Sequence, residues 1–310
     1  MAIRGPFRHR VFRCHHGAWG TGTVLHRLGW NTSLLSGAGG RSTRLALGLL
    51  GEQYRNPDGT PRYWAPGRTR LRFEFPNGVA EVDFMPESSK LNVNTGNPVE
   101  IFRLIVALGV EPEQARVITA AIVDWRSQPP RLPSPFDMLY LAQTPSFRAR
   151  HASLEETEEL LLVRGVTPEL FHGSYARDEE GRLYPRPGLK DCLSVFSNGQ
   201  QVDANFAQPA VLAAIGLPPQ AIAAIVQRRP FPNMQMMQML ASQFGPAAGR
   251  LSIATSSITT FRATATLRIQ GGQLSDLRRT VSAVVKFVDK ATDSPWHILR
   301  WSDQGTGALQ

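Results

Sequence analysis

Several groups of residues in this 310-residue chain have side chains that could do chemistry. Cys14, His15 and His16, with His26 nearby, carry the thiol and imidazole donors that zinc takes. Met234, Met236, Met237 and Met239 carry thioethers, which suit a soft metal such as copper(I). Each group has a plainer reading. The Cys-His group lies in an aperiodic basic segment with no framing helix to supply a second layer of support. The methionines fall at helical spacing, where Met236, Leu240 and Phe244 form a core stripe. Glu155, Glu156, Glu158 and Glu159 suit the first turn of a helix, where acids meet the positive end of the dipole. His151, His172 and His297 are scattered, with no serine or cysteine nucleophile in a shared motif. Ser88-Ser89-Lys90 has no partner motif. Cys14 and Cys192 lie far apart, which gives neither a disulfide framework nor metal spacing, and Cys192 reads as a buried thiol. These residues imply no enzyme.

A different pattern recurs. ALGVEPEQA (107–115), VRGVTPELF (163–171) and AIGLPPQAI (214–222) each place Gly, an aliphatic residue, a spacer and Pro in the same order. Gly109, Gly165 and Gly216 suit the left-handed turn that closes a helix. Pro112, Pro168 and Pro219 suit the first turn of the next one. The match extends upstream, where LNVNTGNPVEI (91–101) aligns with VDANFAQPAVL (202–212). This is the sequence form of a helix-hairpin-helix (SAM-like) unit. Such units bind DNA when a second glycine leaves backbone amides free for a phosphate. Here that position holds Glu111, Thr167 or Pro218: an acid, a threonine and a residue with no N–H. The corners therefore read as scaffold, with no nucleic acid expected.

Net charge is +9, yet residues 1–51 hold seven arginines and no acid, so the rest of the chain is close to neutral. That distribution weakens the nucleic-acid reading that a basic chain invites. Apolar residues make up 42% and charged residues 19%, an ordinary globular balance. No stretch reaches the roughly 20 apolar residues of a membrane helix, and no secretory signal pattern stands out. Residues 1–51 read as a disordered basic arm, a transit-like segment or the product of a misplaced start codon.

The elements that must position these corners fall into three blocks. RLRFEFPNGVAEVDF (70–84) alternates on both sides of Asn77-Gly78, the signal for a two-residue hairpin turn. Alternation returns at ITTFRATATLRI (258–269), RRTVSAVVKF (278–287) and WHILRW (296–301), with a reversal at 270–273. Between them lies helical periodicity: 98–108, a helix from Pro112 through Trp125, one opened by Ser153 and Glu156 as a capping box, 209–215, 219–226 and 233–240. The expected fold is α+β, an antiparallel sheet with one wet face and a large all-α domain inserted in it. The expected divisions are 1–51, 52–90 and 250–303 for the sheet, 91–249 for the helical insert in two related halves, and a tail at 304–310.

KLNVNTGNP (90–98), AAIVDWR (120–126), ASLEETEELLLVRGVTPELF (152–171), LKDCLSVFS (189–197) and AAIVQRR (223–229), taken in order, resemble the minor pseudopilin K family of type II secretion. The resemblance covers roughly residues 55–303. It implies a pilin-like sheet interrupted by a helical domain and a non-enzymatic role in protein transport. It also implies a place at the tip of the pseudopilus with minor pseudopilins I and J, on the periplasmic side of the inner membrane, and contact with secreted cargo. Two departures stand out. Family members carry an N-terminal membrane helix that is not recognisable in residues 1–50, which points to a misplaced start or an upstream frameshift. The resemblance also implies calcium in the helical domain, for which DWRSQPPRLPSPFDMLY (124–140) retains only Asp124 and Asp137, with Phe136 where a glutamate is expected. Calcium prefers six to eight oxygen ligands. The competing reading is a helix-hairpin-helix DNA-binding protein.

Overall fold

The computed structural model describes residues 70–75, 78–128, 132–178, 180–198, 200–240, 244–253, 256–268, 272–287 and 296–304. The basic segment 1–51 with Cys14 and its histidines, Asn77 of the first turn, and 305–310 of the tail lie outside them, as do 270 and 271 of the later reversal. The chain runs β1 (Arg70–Phe75), β2 (Gly78–Pro86), β3 (Leu91–Asn92), α1 (Pro98–Ala107), α2 (Pro112–Arg126), α3 (Pro135–Leu141), α4 (Pro168–His172), β4 (Ser174–Arg177) and β5 (Leu183–Arg186). It continues α5 (Leu189–Cys192), β6 (Leu193–Ser194), β7 (Val202–Asp203), α6 (Pro209–Ala214), α7 (Pro219–Arg228), α8 (Met234–Gln238), β8 (Leu251–Ser252), β9 (Ile258–Arg268), β10 (Leu274–Phe287) and β11 (Trp296–Gln304). Two compact units result, one holding the sheet strands on either side of residues 87–253 and one formed by 87–253 itself.

The first unit is a five-stranded antiparallel sheet in the order β1-β2-β9-β10-β11. Alternation decides its faces. Val82, Ala263 and Val281 stand side by side across three strands, as do Pro86, Thr259 and Val285. All are buried, and so are Phe261 and Ala283 in the row between. Arg262 and Lys286 on the intervening positions are exposed. The register slips between Val284 and Val285 against β11, a bulge of the kind that re-aims an outer strand. The chain leaves this sheet at the end of β2 and re-enters at β9, and those two strands are hydrogen-bonded neighbours.

The second unit has one core, which runs from Leu91 and Ile101 through Ile118, Trp125, Tyr140 and Phe171 to Leu212, Ile225, Phe231 and Leu251. The sequence reading of this block as all-α needs correcting. Short strands occur in it: β3 pairs with β6 and β7 with β8, both parallel, and β4 with β5 as a hairpin. Two-residue strands show no alternation, and both strands of the hairpin are largely exposed, so neither leaves a periodic trace. Two further details differ. The segment after Ser153 forms a 3-10 helix at Thr157–Leu162, and Ser153 does not cap it. Instead Glu159 Oε1 accepts from the amides of Glu155 and Glu156 at 2.7 and 3.2 Å, which delays the helix start. In α8 the buried stripe is Met237, Leu240 and Phe244, while Met236 is half exposed. Val226 of α7 is also exposed.

The two halves of this unit repeat one set of bonds. Asn94 holds the backbone of Leu154 at both ends, donating to its carbonyl at 2.9 Å and accepting from its amide at 2.7 Å. Asn205 holds Phe231 in the same way at 3.0 and 2.7 Å. The amide of Val93 donates to Ser194 O and that of Ala204 to Ser252 O. Arg126 at the end of α2 donates to the carbonyls of Val93 and Gly96. Arg229, just past α7, donates to that of Ala207, the counterpart of Gly96. Charge-assisted bonds of this kind contribute about 1.5–3 kcal/mol each, so each half carries its own staple.

Candidate functional site

The corners are the residues on which the functional reading turns. Asn97 caps α1 by accepting from Val99 N at 2.9 Å. The helix closes when Gly109 N donates to Val106 O and Val110 N to Ile105 O. Gly216 N to Ala213 O and Leu217 N to Leu212 O repeat that pattern at the end of α6. Both are the doubled bond of a Schellman cap, which needs a left-handed residue. Gly109 and Gly216 supply it with φ of 96° each. Pro112, Pro168 and Pro219 each start the following helix. Gly165 has φ 87° and a second constraint, because a Cβ there would stand 2.8 Å from Ile118 Cγ1.

This accounting decides what the two Schellman corners can bind. Their amides at Gly109, Val110, Gly216 and Leu217 point back at helix carbonyls, so they are not available to a phosphate. The fold brings a cation to each of these two corners. The guanidinium of Arg186, on β5, lies over Gly109, and that of Arg103 lies over Gly216. Both come from distant segments and sit at helix C-termini, where a cation complements the dipole.

Asp124 and Asp137 come together, but around other partners. Asp137 Oδ2 accepts from Ser134 N at 3.0 Å, and Ser134 Oγ accepts in turn from Asp137 N at 3.1 Å, a capping box at the start of α3. Ser134 Oγ donates to Asp124 Oδ2 at 3.0 Å. His151, held at φ 50°, closes the group. Its Nδ1 meets Asp124 O at 3.1 Å and its Nε2 meets Asp137 Oδ2 at 3.0 Å. A carbonyl and an ionised carboxylate only accept, so both ring nitrogens must donate and the ring is an imidazolium. Burial alone would lower the His151 pKa, but the bond and charge of Asp137 outweigh it and leave the value raised. Burial would likewise raise Asp137. The bond from His151, the Ser134 amide and the imidazolium charge reverse that and leave it lowered.

These residues do not suit calcium. Asp137 is held by an amide and an imidazolium and Asp124 Oδ2 by a hydroxyl, the imidazolium charge opposes a second cation, and two carboxylates fall short of the six to eight oxygens that calcium takes. Among the described residues no group of three or more His, Cys, Asp or Glu is arranged to hold a metal. Asp124 also borders an open groove of about 710 Å³ whose wall is largely apolar, with Val99, Phe102, Val123 and Phe136, and carries Arg116, which pairs with Glu113. Cys192 is buried, and burial first, with the charge of Asp191, pushes its thiol up, away from the reactive thiolate. None of the described helices is long and apolar enough to cross a membrane.

Known proteins of similar sequence and shape bear on this arrangement. The family model described as type II secretion system (T2SS), protein K matches residues 88–173. Type II secretion system protein K of Klebsiella pneumoniae is 32% identical over 124 residues, 38% of this chain and 34% of that protein. The protein of the same name from Pseudomonas aeruginosa is 25% identical over 180 residues, 57% of this chain and 49% of that one. The chain thus spans between a third and a half of the length of the curated relatives it matches. In fold it is similar to a chain of the GspK-GspI-GspJ complex of the enterotoxigenic Escherichia coli type 2 secretion system, with TM-score 0.55 at 16% identity over 91% of this chain and 99% of that one. In residues 88–173 the chain is thus similar to type II secretion system protein K, and its fold, an antiparallel sheet with a helical unit inserted in sequence between two adjacent strands, is similar to that of a chain of the GspK-GspI-GspJ complex.

Proposed function

We propose that this chain is a non-enzymatic minor pseudopilin, placed at the tip of a type II secretion pseudopilus beside minor pseudopilins I and J. In this reading it helps to start assembly and the export of folded periplasmic proteins, from the periplasmic side of the inner membrane. One observation carries most of the weight. Neighbouring strands β2 and β9 of the sheet are joined through the whole of 87–253, a topology that adds a second body to a pilin-type sheet. The helix pairs α1–α2 and α6–α7, with their glycine corners, serve in this reading as rigid joints of that body. The side chains support a role without catalysis. Both nitrogens of His151 are committed, and the Cys192 thiol is sealed from solvent.

The test is co-expression of the full chain with pseudopilins I and J from the same genome, followed by size-exclusion chromatography. A co-migrating complex is expected. Migration apart from both partners would overturn the proposal, as would duplex DNA binding with a steep salt dependence.

A further inference from the structure

The repeated halves of the helical unit differ at one buried atom. In the first half Asn92 Oδ1 accepts from the amides of Asn94 and Thr95 at 2.8 and 2.9 Å, while its Nδ2 donates to Ser197 O at 2.6 Å. In the second half the aligned residue is Asp203. Its Oδ1 accepts from Asn205 N at 2.9 Å, but its Oδ2 has no hydrogen-bond partner among the described residues. Asp203 is 0% exposed. The surrounding frame is conserved between the halves, with Asn205 for Asn94, Ala204 for Val93 and Arg229 for Arg126. A carboxylate oxygen therefore stands where the frame, in its other copy, uses a donor. An ionised carboxylate cannot donate, whereas a neutral carboxylic acid can.

The charges that face Asp203 do not resolve this. Arg229 is the nearest, but its Nη2 is committed to Ala207 O at 2.7 Å and its Nε also lacks a partner. Strand β8 contributes Leu251 and Ser252, neither of which titrates. The turn at Glu87–Ser89, which packs on β7, brings Glu87 and Lys90, and these pair with each other at 3.1 Å. Burial outweighs both the Asn205 amide and the Arg229 charge, and pushes the Asp203 carboxyl up to about 7.

We propose that Asp203 is a protonation latch for the second half of the helical unit. As a neutral acid it matches Asn92 and closes β7, α6 and α7 on the 231 segment. As a carboxylate it loosens that half, while the first half is indifferent. The sign follows from proton counting. The folded value lies above the ordinary aspartate value of about 3.9, so the folded chain binds more protons between roughly pH 4 and 7. The stabilisation is complete below that window and is lost as pH rises through about 7.

The experiment uses the full chain and reads amide-exchange protection at two equivalent positions, Leu154 N–H and Phe231 N–H, both bonded to an asparagine Oδ1 at 2.7 Å. From pH 5 to pH 8, protection at Phe231 should fall by up to about 100-fold relative to Leu154. Asp203→Asn should abolish that difference and raise Tm at pH 8 by about 5 °C, with little change at pH 5. Equal shifts at both pH values, or parallel loss at both amides, would overturn the proposal. Asn92→Asp is the reciprocal variant and stands if the first fails to fold. It should transfer the pH dependence to Leu154, and a pH-indifferent Asn92→Asp chain would refute the latch.

Discussion

Replacing His151 with asparagine tests whether an imidazolium holds the 124–151 loop together. Asparagine tolerates the left-handed backbone that His151 adopts at φ 50°, so the substitution removes the ring without adding strain. Two bonds are lost, Nδ1 to Asp124 O at 3.1 Å and Nε2 to Asp137 Oδ2 at 3.0 Å. Bonds to charged groups are worth about 1.5–3 kcal/mol. The two side chains are only 10% and 11% exposed, so water replaces little of the loss. A destabilisation of about 3–6 kcal/mol follows, or roughly 10–20 °C in Tm for a unit of this size. The pH dependence has two edges. The His151 pKa is raised, so its contribution is whole below about 6.5 and disappears as pH climbs through the folded value. The Asp137 pKa is lowered, so its contribution is whole above about 3.9 and disappears on acidification through the folded value. The assays are urea unfolding of both chains at pH 6 and pH 9 and NMR titration of the His151 ring. The reasoning fails if the ring titrates below 6.5, or if the variant costs as much at pH 9 as at pH 6.

Other consequences concern the corners, the asparagines and the thiol. Gly165→Ala should cost about 2–4 kcal/mol in urea unfolding, because left-handed backbone and the 2.8 Å approach to Ile118 act together. Gly109→Ala should cost about 1–2 kcal/mol, since the nearest atoms are the ends of the flexible Arg186 side chain at 3.6 Å. Asn94→Ala and Asn205→Ala should each cost about 2–4 kcal/mol, because each orphans a carbonyl and an amide of one distant residue. Calcium or a chelator should leave Tm unchanged, and a calcium-induced rise would refute the reading of the Asp124–His151 group. Cys192 should react with a thiol reagent only at the rate of unfolding, and rapid labelling of the native chain would contradict its burial.

The parts of this protein that could be read from sequence are those whose cause is local. A left-handed turn demands glycine, and a first helical turn accepts proline, so Gly109–Pro112 and Gly216–Pro219 declare two corners wherever they occur. The sheet was readable for a similar reason, since one buried face forces a period of two on β9 and β10. The hidden parts depend on residues that meet only after folding. Asn94 reveals nothing of Leu154, nor Asn205 of Phe231, because the asparagine satisfies backbone and places no demand on its partner's side chain. His151 looked idle until the loop carried it between a helix-end carbonyl and a helix-start carboxylate. Asp203 lies between these cases. The repeat alignment set it against Asn92, and an acid aligned with an amide is a difference of one hydrogen-bond donor. Its meaning required burial: at the surface the exchange would be neutral, whereas at 0% exposure the missing donor becomes an unmatched charge. A duplicated scaffold thus supplies its own control, because the half that keeps the amide shows what the half with the acid has to do without.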